Sequence, residues 1–555
     1  MQAPVDAQLF INGGFVDSSD QETFDLYSPY SGDLVGKGEL DPYQSRHPNE
    51  AQRRRPTSAE RAGEPSSHGQ EKATHESDTL PWMSLFLEED CQMWPDLPTV
   101  AEATSEDVDR AVAAAQAAFP AWCNLPPVER GKPLARLGKM IEDATSDLAR
   151  LDALSLGRPV GTYFDAHYAK MHFNYFAEAA YPVGTSSLNT PGFVNISLKQ
   201  PYGVGSAIIP WNAPLVFLSK KLAPALAAGN TMVLKTSEKA PLSSHLVATF
   251  LNEAGFPPGV VNIIHGHGLP CGDAISRHMG IRALSFTGSV RTGRAIQKAA
   301  ADSNFKHLVF ELGGKSPAIV FSDADLDKAA QETQNSIMFH SGQTCMANSR
   351  IYVEKSVAET FIKKFNAFAS NRKLGDPLDA ETASGPQADK AQHETVLKYL
   401  EEAKKTGQVL ENATLPSENG SLFVRPTVLL QHPEDSKVMK EEIFGPVVAI
   451  NTFETEAEAL HKANDTEYGL YAAVFTKDFD RAMRIAKGFE SGMVGVNCTS
   501  PTGAWDMPFG GYKQSGVGRE SFLLSLENDW METKSVYMKV EGLVQSTATT
   551  NGLGR

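Results

Sequence analysis

The chain has 555 residues, too many for one hydrophobic core, so two or three domains are expected, and its 41% hydrophobic content is enough to fill them. A formal charge of −16, from 51 basic and 67 acidic residues, argues against a nucleic-acid or anionic-membrane partner, because both reward dense positive charge. The five cysteines (Cys91, Cys123, Cys271, Cys345 and Cys498) are scattered, with no CxxC and no histidines at metal spacing, which argues against a disulfide scaffold and a structural metal.

The amino-terminal stretch MQAPVDAQLFINGGFVDSSD has neither a basic leader with an apolar run nor Arg/Ser-rich transit character, so a cytoplasmic location is expected. The longest apolar stretches, such as Pro214 to Ala228, are interrupted by lysines and proline and fall short of a membrane span. Residues 38–98 differ from their surroundings: they are polar and charged, without a period of two or 3.6. They read as a disordered or spurious insertion, with Arg53, Arg54 and Arg55 as a basic docking patch on the sharper reading.

From Ser105 the pattern becomes orderly. Val108, Ala111, Val112, Ala115 and Phe119 fall on one helical face after a Ser/Thr cap, and helices continue to about Ala180. GVGSAIIP then reads as a strand, LVFLSKKLAPALAAG as a helix ended by Gly229, TMVLK as a strand and PLSSHLVATFLNEAG as a helix ended by Gly255. VVNIIHG and ALSFTGS are further short strands. Strands alternating with capped helices predict an α/β fold, with a parallel sheet covered on both faces in the dinucleotide-binding style. The pattern restarts after Glu311 with SPAIVF, a long helix from Leu326 and the strand RIYVE, which predicts a second α/β domain.

Several residues at the strand ends are suited to chemistry. Asn212, in IIPWNAP, follows the first of these strands, where a rigid amide can donate to a developing oxyanion; capping a turn is the ordinary alternative. Lys235 and Glu238, in LKTSEKAP, are placed to hold ribose hydroxyls, or else to form a surface ion pair. FTGSVRTG, preceded by the HGHG loop, opens a helix, so Ser289 and the exposed amides would face a phosphate. Glu311 ends an apolar strand and precedes two glycines, so it is expected in a partly apolar cleft that raises its pKa into general-base range. Cys345, in SGQTCMANSR, is expected on a loop entering a helix, where the positive end of the dipole favours thiolate.

Taken together and in order, PWN, KTSE, FTGS, ELGGKSP, GQTC, EEIFGPV and PFGGYKQSG form the motif series of the aldehyde dehydrogenase superfamily, which the chain resembles from about Leu9 to Val540, excluding residues 38–98. The resemblance implies that Cys345 attacks an aldehyde carbonyl and that the oxyanion is held by Asn212 and the Cys345 amide. Hydride then leaves to nicotinamide, and Glu311 activates the water that hydrolyses the thioester. It implies that Lys221 lies near the proton path and that no metal takes part. Trp211, Lys235, Glu238, Gly268, Ser289, Glu442 and Phe444 would lie along the cofactor. NAD is favoured over NADP, because a carboxylate at Glu238 accepts from a 2′-hydroxyl and repels a 2′-phosphate.

The fold implied is a Rossmann-like nucleotide-binding domain (1–182 and 202–311), an α/β catalytic domain (312–512), a small β oligomerisation arm (183–201 and 513–540) and a tail (541–555). Homodimers or homotetramers are implied. Ala213 is smaller than the phenylalanine many relatives carry, so a roomier tunnel for aromatic or branched aldehydes is expected; Thr344 and Met346 also line that tunnel in relatives. The alternatives are an acylating enzyme that passes the thioester to coenzyme A, and a catalytically silent NAD-binding or structural relative should the insertion disrupt the fold.

Overall fold

The computed structural model describes residues 7–36, 99–179, 183–416, 422–501, 506–521 and 523–541. The expectations for residues 38–98, and for the tail beyond 541, lie outside the described residues. An eight-stranded sheet runs in the order Gly14–Val16, Leu9–Ile11, Val261–Ile264, Thr231–Lys235, Val204–Ile208, Ala283–Thr287, His307–Glu311, Gly516–Val517. The five strands from Val261–Ile264 to His307–Glu311 are parallel, flanked by antiparallel pairing to Leu9–Ile11 on one side and Gly516–Val517 on the other. Chain order reverses between Val204–Ile208 and Ala283–Thr287, so the carboxyl ends of these strands open the crevice where doubly wound folds bind ligands.

The helix Ser105–Cys123 is started by a capping box in which Thr104 and Asp107 satisfy one another's backbone amides. It buries Val108, Ala111, Val112 and Ala115 against one face of this sheet. The helices Pro127–Asp143, Asp165–Ala177, Pro214–Ala228 and Leu242–Ala254 cover the other face through a core that includes Leu137, Phe173, Leu222 and Leu246. Gly229 and Gly255 end their helices in left-handed conformations, as their positions predict.

A second, seven-stranded sheet has the order Gln408–Glu411, Thr427–Leu430, Val447–Phe453, Arg350–Glu354, Pro317–Val320, Tyr471–Phe475, Met493–Val496, with only the first strand antiparallel. Its two faces carry separate clusters, one around Phe361 and Phe365 and the other around Phe453 and Val474. The chain is thus an α/β fold with two wound sheets.

A small third sheet pairs Phe193–Pro201 with Met531–Lys539 over nine residues in antiparallel register. Only the end of the stretch 513–540 belongs to it. Lys513 pairs with Tyr468, Gly516–Val517 pairs with the Glu311 strand, and Leu523–Trp530 packs on Pro214–Ala228 with Trp530 in the first core, so the last two segments lie with the eight-stranded sheet. Among the described residues no helix is long and apolar enough to cross a membrane.

Candidate active site

The sequence motifs lie at the ends of parallel strands. Asn212 follows the strand Val204–Ile208, Lys235 ends its own strand, Gly268 follows Val261–Ile264, Ser289 follows Ala283–Thr287, and Glu311 ends His307–Glu311. Strand carboxyl ends converge on the crevice because every parallel connection returns over a sheet face.

The thiol arrives from the second sheet. Helix Leu326–Met338 closes in a tight turn, Phe339–Gly342, in which His340 and Ser341 have φ of 46° and 54°. Gly342 has φ +77°, and a Cβ there would lie 2.0 Å from the Gly445 carbonyl oxygen, so the SGQTC and EEIFGP loops meet backbone to backbone. Gly314 of ELGGK approaches the Cys345 carbonyl as closely, at 2.2 Å from its would-be Cβ. Asn212 Nδ2 donates to the Gln343 carbonyl at 2.9 Å, two residues before the thiol. Four motifs distant in sequence are thereby joined around Cys345.

The expectation that Cys345 precedes a helix is corrected. The chain runs from the turn into the strand Arg350–Glu354, so the loop of Cys345 opens no helix. Cys345 is half-buried as a residue, and desolvation of its thiol first, then Glu442, pushes it up to about 12; Lys220 and the residue's own backbone N–H act in the opposite direction.

Glu311 is 2% exposed and neither carboxyl oxygen has a hydrogen-bond partner among the described residues. Desolvation, then the nearby Glu520, raise its pKa well above the ordinary carboxylate range, against the pull of Lys220, Lys221 and Arg519. A buried, unpartnered carboxyl of this kind is matched to proton transfer near neutral pH. Lys221 is fully buried; its Nζ donates to Ser285 Oγ at 2.7 Å and pairs with Glu520 at 2.8 Å.

The remaining sequence candidates flank the crevice. Glu442 Oε1 accepts from Gly314 N–H at 2.9 Å, and burial raises its pKa to about 7. Trp211 packs edge-on against Phe444 at 5.5 Å and lies 5.1 Å from the Lys239 ammonium. Ser289 caps the helix Val290–Ala301 by accepting from Thr292 N–H, and it is exposed. Lys235 is buried with its Nζ on the Thr236 carbonyl, so it forms no surface pair with Glu238. A Cβ on Gly268 would meet open space. An exposed helix amino terminus, an open glycine corner and a half-buried acid at neighbouring strand ends fit a dinucleotide.

Three residues of the site were not singled out by sequence reasoning: Gln343, Glu520 and Lys220. The sequence signal for Lys220 was present, as a charge inside an apolar helix. Among the described residues no group of three or more metal-ligating side chains forms.

A family model described as the aldehyde dehydrogenase family matches residues 96–536. The chain is 42% identical over 446 residues to an aldehyde dehydrogenase of Alternaria alternata, covering 80% of this chain and 89% of the relative. It is 42% identical over 448 residues to retinaldehyde dehydrogenase 3 of Mus musculus, with 80% and 87% covered. A putative aldehyde dehydrogenase structure from Burkholderia cenocepacia superposes with a TM-score of 0.83 at 36% identity, over 97% of this chain and 99% of that one. PnpE in complex with nicotinamide adenine dinucleotide gives a TM-score of 0.82 at 35% identity, over 96% and 98%.

Proposed function

The chain belongs to the aldehyde dehydrogenase family and oxidises aldehydes with a nicotinamide cofactor; from that premise we propose that Cys345 is the nucleophile, Asn212 the oxyanion donor and Glu311 the hydrolytic base. The observation that carries this reading is the Asn212–Gln343 hydrogen bond, which ties the strand-end amide to the loop of the thiol, beside a buried carboxyl with no partner.

The Cys345 thiol loses its proton to solvent, and the thiolate adds to the aldehyde carbon, giving a thiohemiacetal. A primary amide has two N–H bonds, and Gln343 uses one, so Asn212 can direct the other to the new oxyanion together with the Cys345 N–H. The bound cofactor supplies the hydride acceptor. Glu311 as carboxylate takes a proton from water, the hydroxyl adds to the thioester carbon, and the thiolate leaves, releasing a carboxylic acid. Lys221, held by Ser285 and Glu520, positions the polar end of this path.

Trp211, Lys235, Glu238, Gly268, Ser289, Glu442 and Phe444 would hold the cofactor: Glu238 and Lys235 at the adenosine ribose, Ser289 and Gly268 at the pyrophosphate, Glu442 and Phe444 beside the nicotinamide. NAD over NADP is part of this reading, since Glu238 repels a 2′-phosphate. A homo-oligomer, dimer or tetramer, is supported by the arm, where Leu198, Tyr537 and Met538 are exposed. A cytoplasmic setting is supported by four free thiols among the described residues.

The test is NADH formation across an aldehyde panel by the wild type and Cys345→Ala. Turnover lost only in the variant is the expected result; turnover that survives the substitution would remove Cys345 from the chemistry. A requirement for coenzyme A would shift the reading to acyl transfer.

A further inference from the structure

The contact between Trp211 and Phe444, at 5.5 Å, crosses from a strand end of the first sheet to a loop of the second. A second crossing lies beside it. Lys239, one residue beyond Glu238, forms an ion pair with Asp389, and its ammonium also sits 5.1 Å from the Trp211 ring. Asp389 starts the helix Lys390–Thr406, whose Val396, Leu400 and Ala403 belong to the core around Phe453 of the seven-stranded sheet. Ala240 and Ala388, the chain neighbours of the two charged residues, are buried in one cluster with Leu156, and Trp211 packs against it.

From that helix start the contacts return to the first crossing. Gln392 Nε2 donates to the Phe444 carbonyl at 2.9 Å. Lys239, Trp211, Phe444, Gln392 and Asp389 thus close a ring that spans the crevice, and the crevice widens here only if both crossings part. The same segment also holds the thiol loop, because Ala388 N–H donates to Gln343 Oε1 at 2.8 Å.

The two crossings differ in kind. One is an aromatic contact, whereas the other is an ion pair whose side chains are 26% and 32% exposed, so water and salt reach it. A partly exposed pair contributes little to global stability. Here, however, it joins loops of two sheets that must separate for a ligand to pass between them. A dinucleotide running from Glu238 to Phe444 lies along both crossings.

We propose that Lys239 and Asp389 are positioning residues that clasp the crevice over bound cofactor, so that NADH leaves when this pair opens. The inference rests on the cofactor placement proposed above, along Trp211, Glu238 and Phe444, and adds what retains the cofactor there. The clasp acts through Trp211 and through the start of the helix Lys390–Thr406, and neither charged group is required to touch the reacting atoms.

The test is NADH release, followed by stopped-flow fluorescence on displacement with excess NAD, in the wild type, Lys239→Met, Lys239→Arg, Asp389→Asn and the Lys239→Met/Asp389→Asn double variant. Asp389→Asn removes the charge but keeps the oxygen that accepts from Gln392 N–H at 2.7 Å, so the helix cap survives. Release should quicken by roughly 2–5-fold in Asp389→Asn, the size of a partly exposed ion pair, and by roughly 3–10-fold in Lys239→Met, which also loses the ring contact. The double variant should match Lys239→Met, and Lys239→Arg should release at close to the wild-type rate. Raising salt from about 0.05 to 0.5 M should speed release from the wild type more than from either charge variant, a response that a merely structural role would lack. Unchanged release in Lys239→Met and Asp389→Asn, or effects that multiply in the double variant, would overturn the proposal. Glu238→Ser is measured alongside: if it alone alters release, the cofactor placement stands and the clasp falls, and if it too is without effect, the placement falls as well.

Discussion

Asn212 Nδ2 and the Gln343 carbonyl are 2.9 Å apart across the boundary between the two wound sheets. One side chain thus holds the thiol loop, and in the proposed mechanism its second N–H would serve the oxyanion formed there. Asn212→Ala should therefore lower kcat by roughly 10²–10³, the usual cost of one oxyanion donor. The KM for cofactor should change little, because the amide's work lies at the thiol. Steady-state kinetics against both substrates separates these quantities, and a selective rise in cofactor KM would reassign Asn212.

Glu311→Gln should leave the first half of the reaction and halt the second. A rapid-mixing experiment is expected to show about one NADH per active site, followed by turnover slowed roughly 10²–10⁴-fold. Steady turnover at the wild-type rate would remove Glu311 from hydrolysis.

The same substitution should alter stability with a defined sign. The folded-state pKa of Glu311 is raised, chiefly by burial, so the folded protein holds this proton more tightly than the unfolded chain does. Its contribution is full below the ordinary glutamate range and is lost as pH rises toward the raised value. The amide of E311Q does not titrate. Its melting temperature relative to wild type should climb as pH rises above the ordinary glutamate range, and a difference that shrinks with pH would contradict the burial argument.

What the sequence made legible was local. The helices ended by Gly229 and Gly255, the Thr104 cap and the strands leading to Lys235 and Glu311 follow from short patterns that their neighbours reinforce. The site residues are legible as ends of those strands. The surroundings of Cys345 are not, because long-range backbone contact decides them: Gly342 is seated on Gly445, about a hundred residues later, and the segment then pairs as a strand. Lys220 and Lys221 look alike in sequence and differ only through Phe509 and Glu520, nearly three hundred residues away.

Glu238 is half-buried at a strand end with Ser237 Oγ as its hydrogen-bonding neighbour. In the proposed cofactor pose a carboxylate there would repel a 2′-phosphate and accept from a 2′-hydroxyl. The wild type should show a higher kcat/KM with NAD than with NADP, and Glu238→Ser should narrow the ratio by about tenfold or more, as expected when one charge repulsion of about 1.4 kcal/mol is removed. A ratio unmoved by the substitution would place cofactor choice elsewhere.

Glu442 joins the cofactor side of the cleft to the thiol, because its Oε1 holds the Gly314 amide and Gly314 abuts the Cys345 carbonyl. Burial raises its pKa to about 7, with the Gly314 amide and Lys315 pulling the other way. The charged form, which can accept from ribose hydroxyls, therefore predominates only above that pH. The KM for cofactor should fall as pH rises through about 7, and Glu442→Gln should flatten this dependence while raising KM at alkaline pH. Deprotonation also strengthens the acceptor for Gly314 N–H, so the same pH rise should firm the loop beneath Cys345. Hydrogen exchange at Gly314 measures that directly: protection increasing with pH in the wild type and constant in Glu442→Gln is the expected pattern, and identical profiles would uncouple Glu442 from the loop.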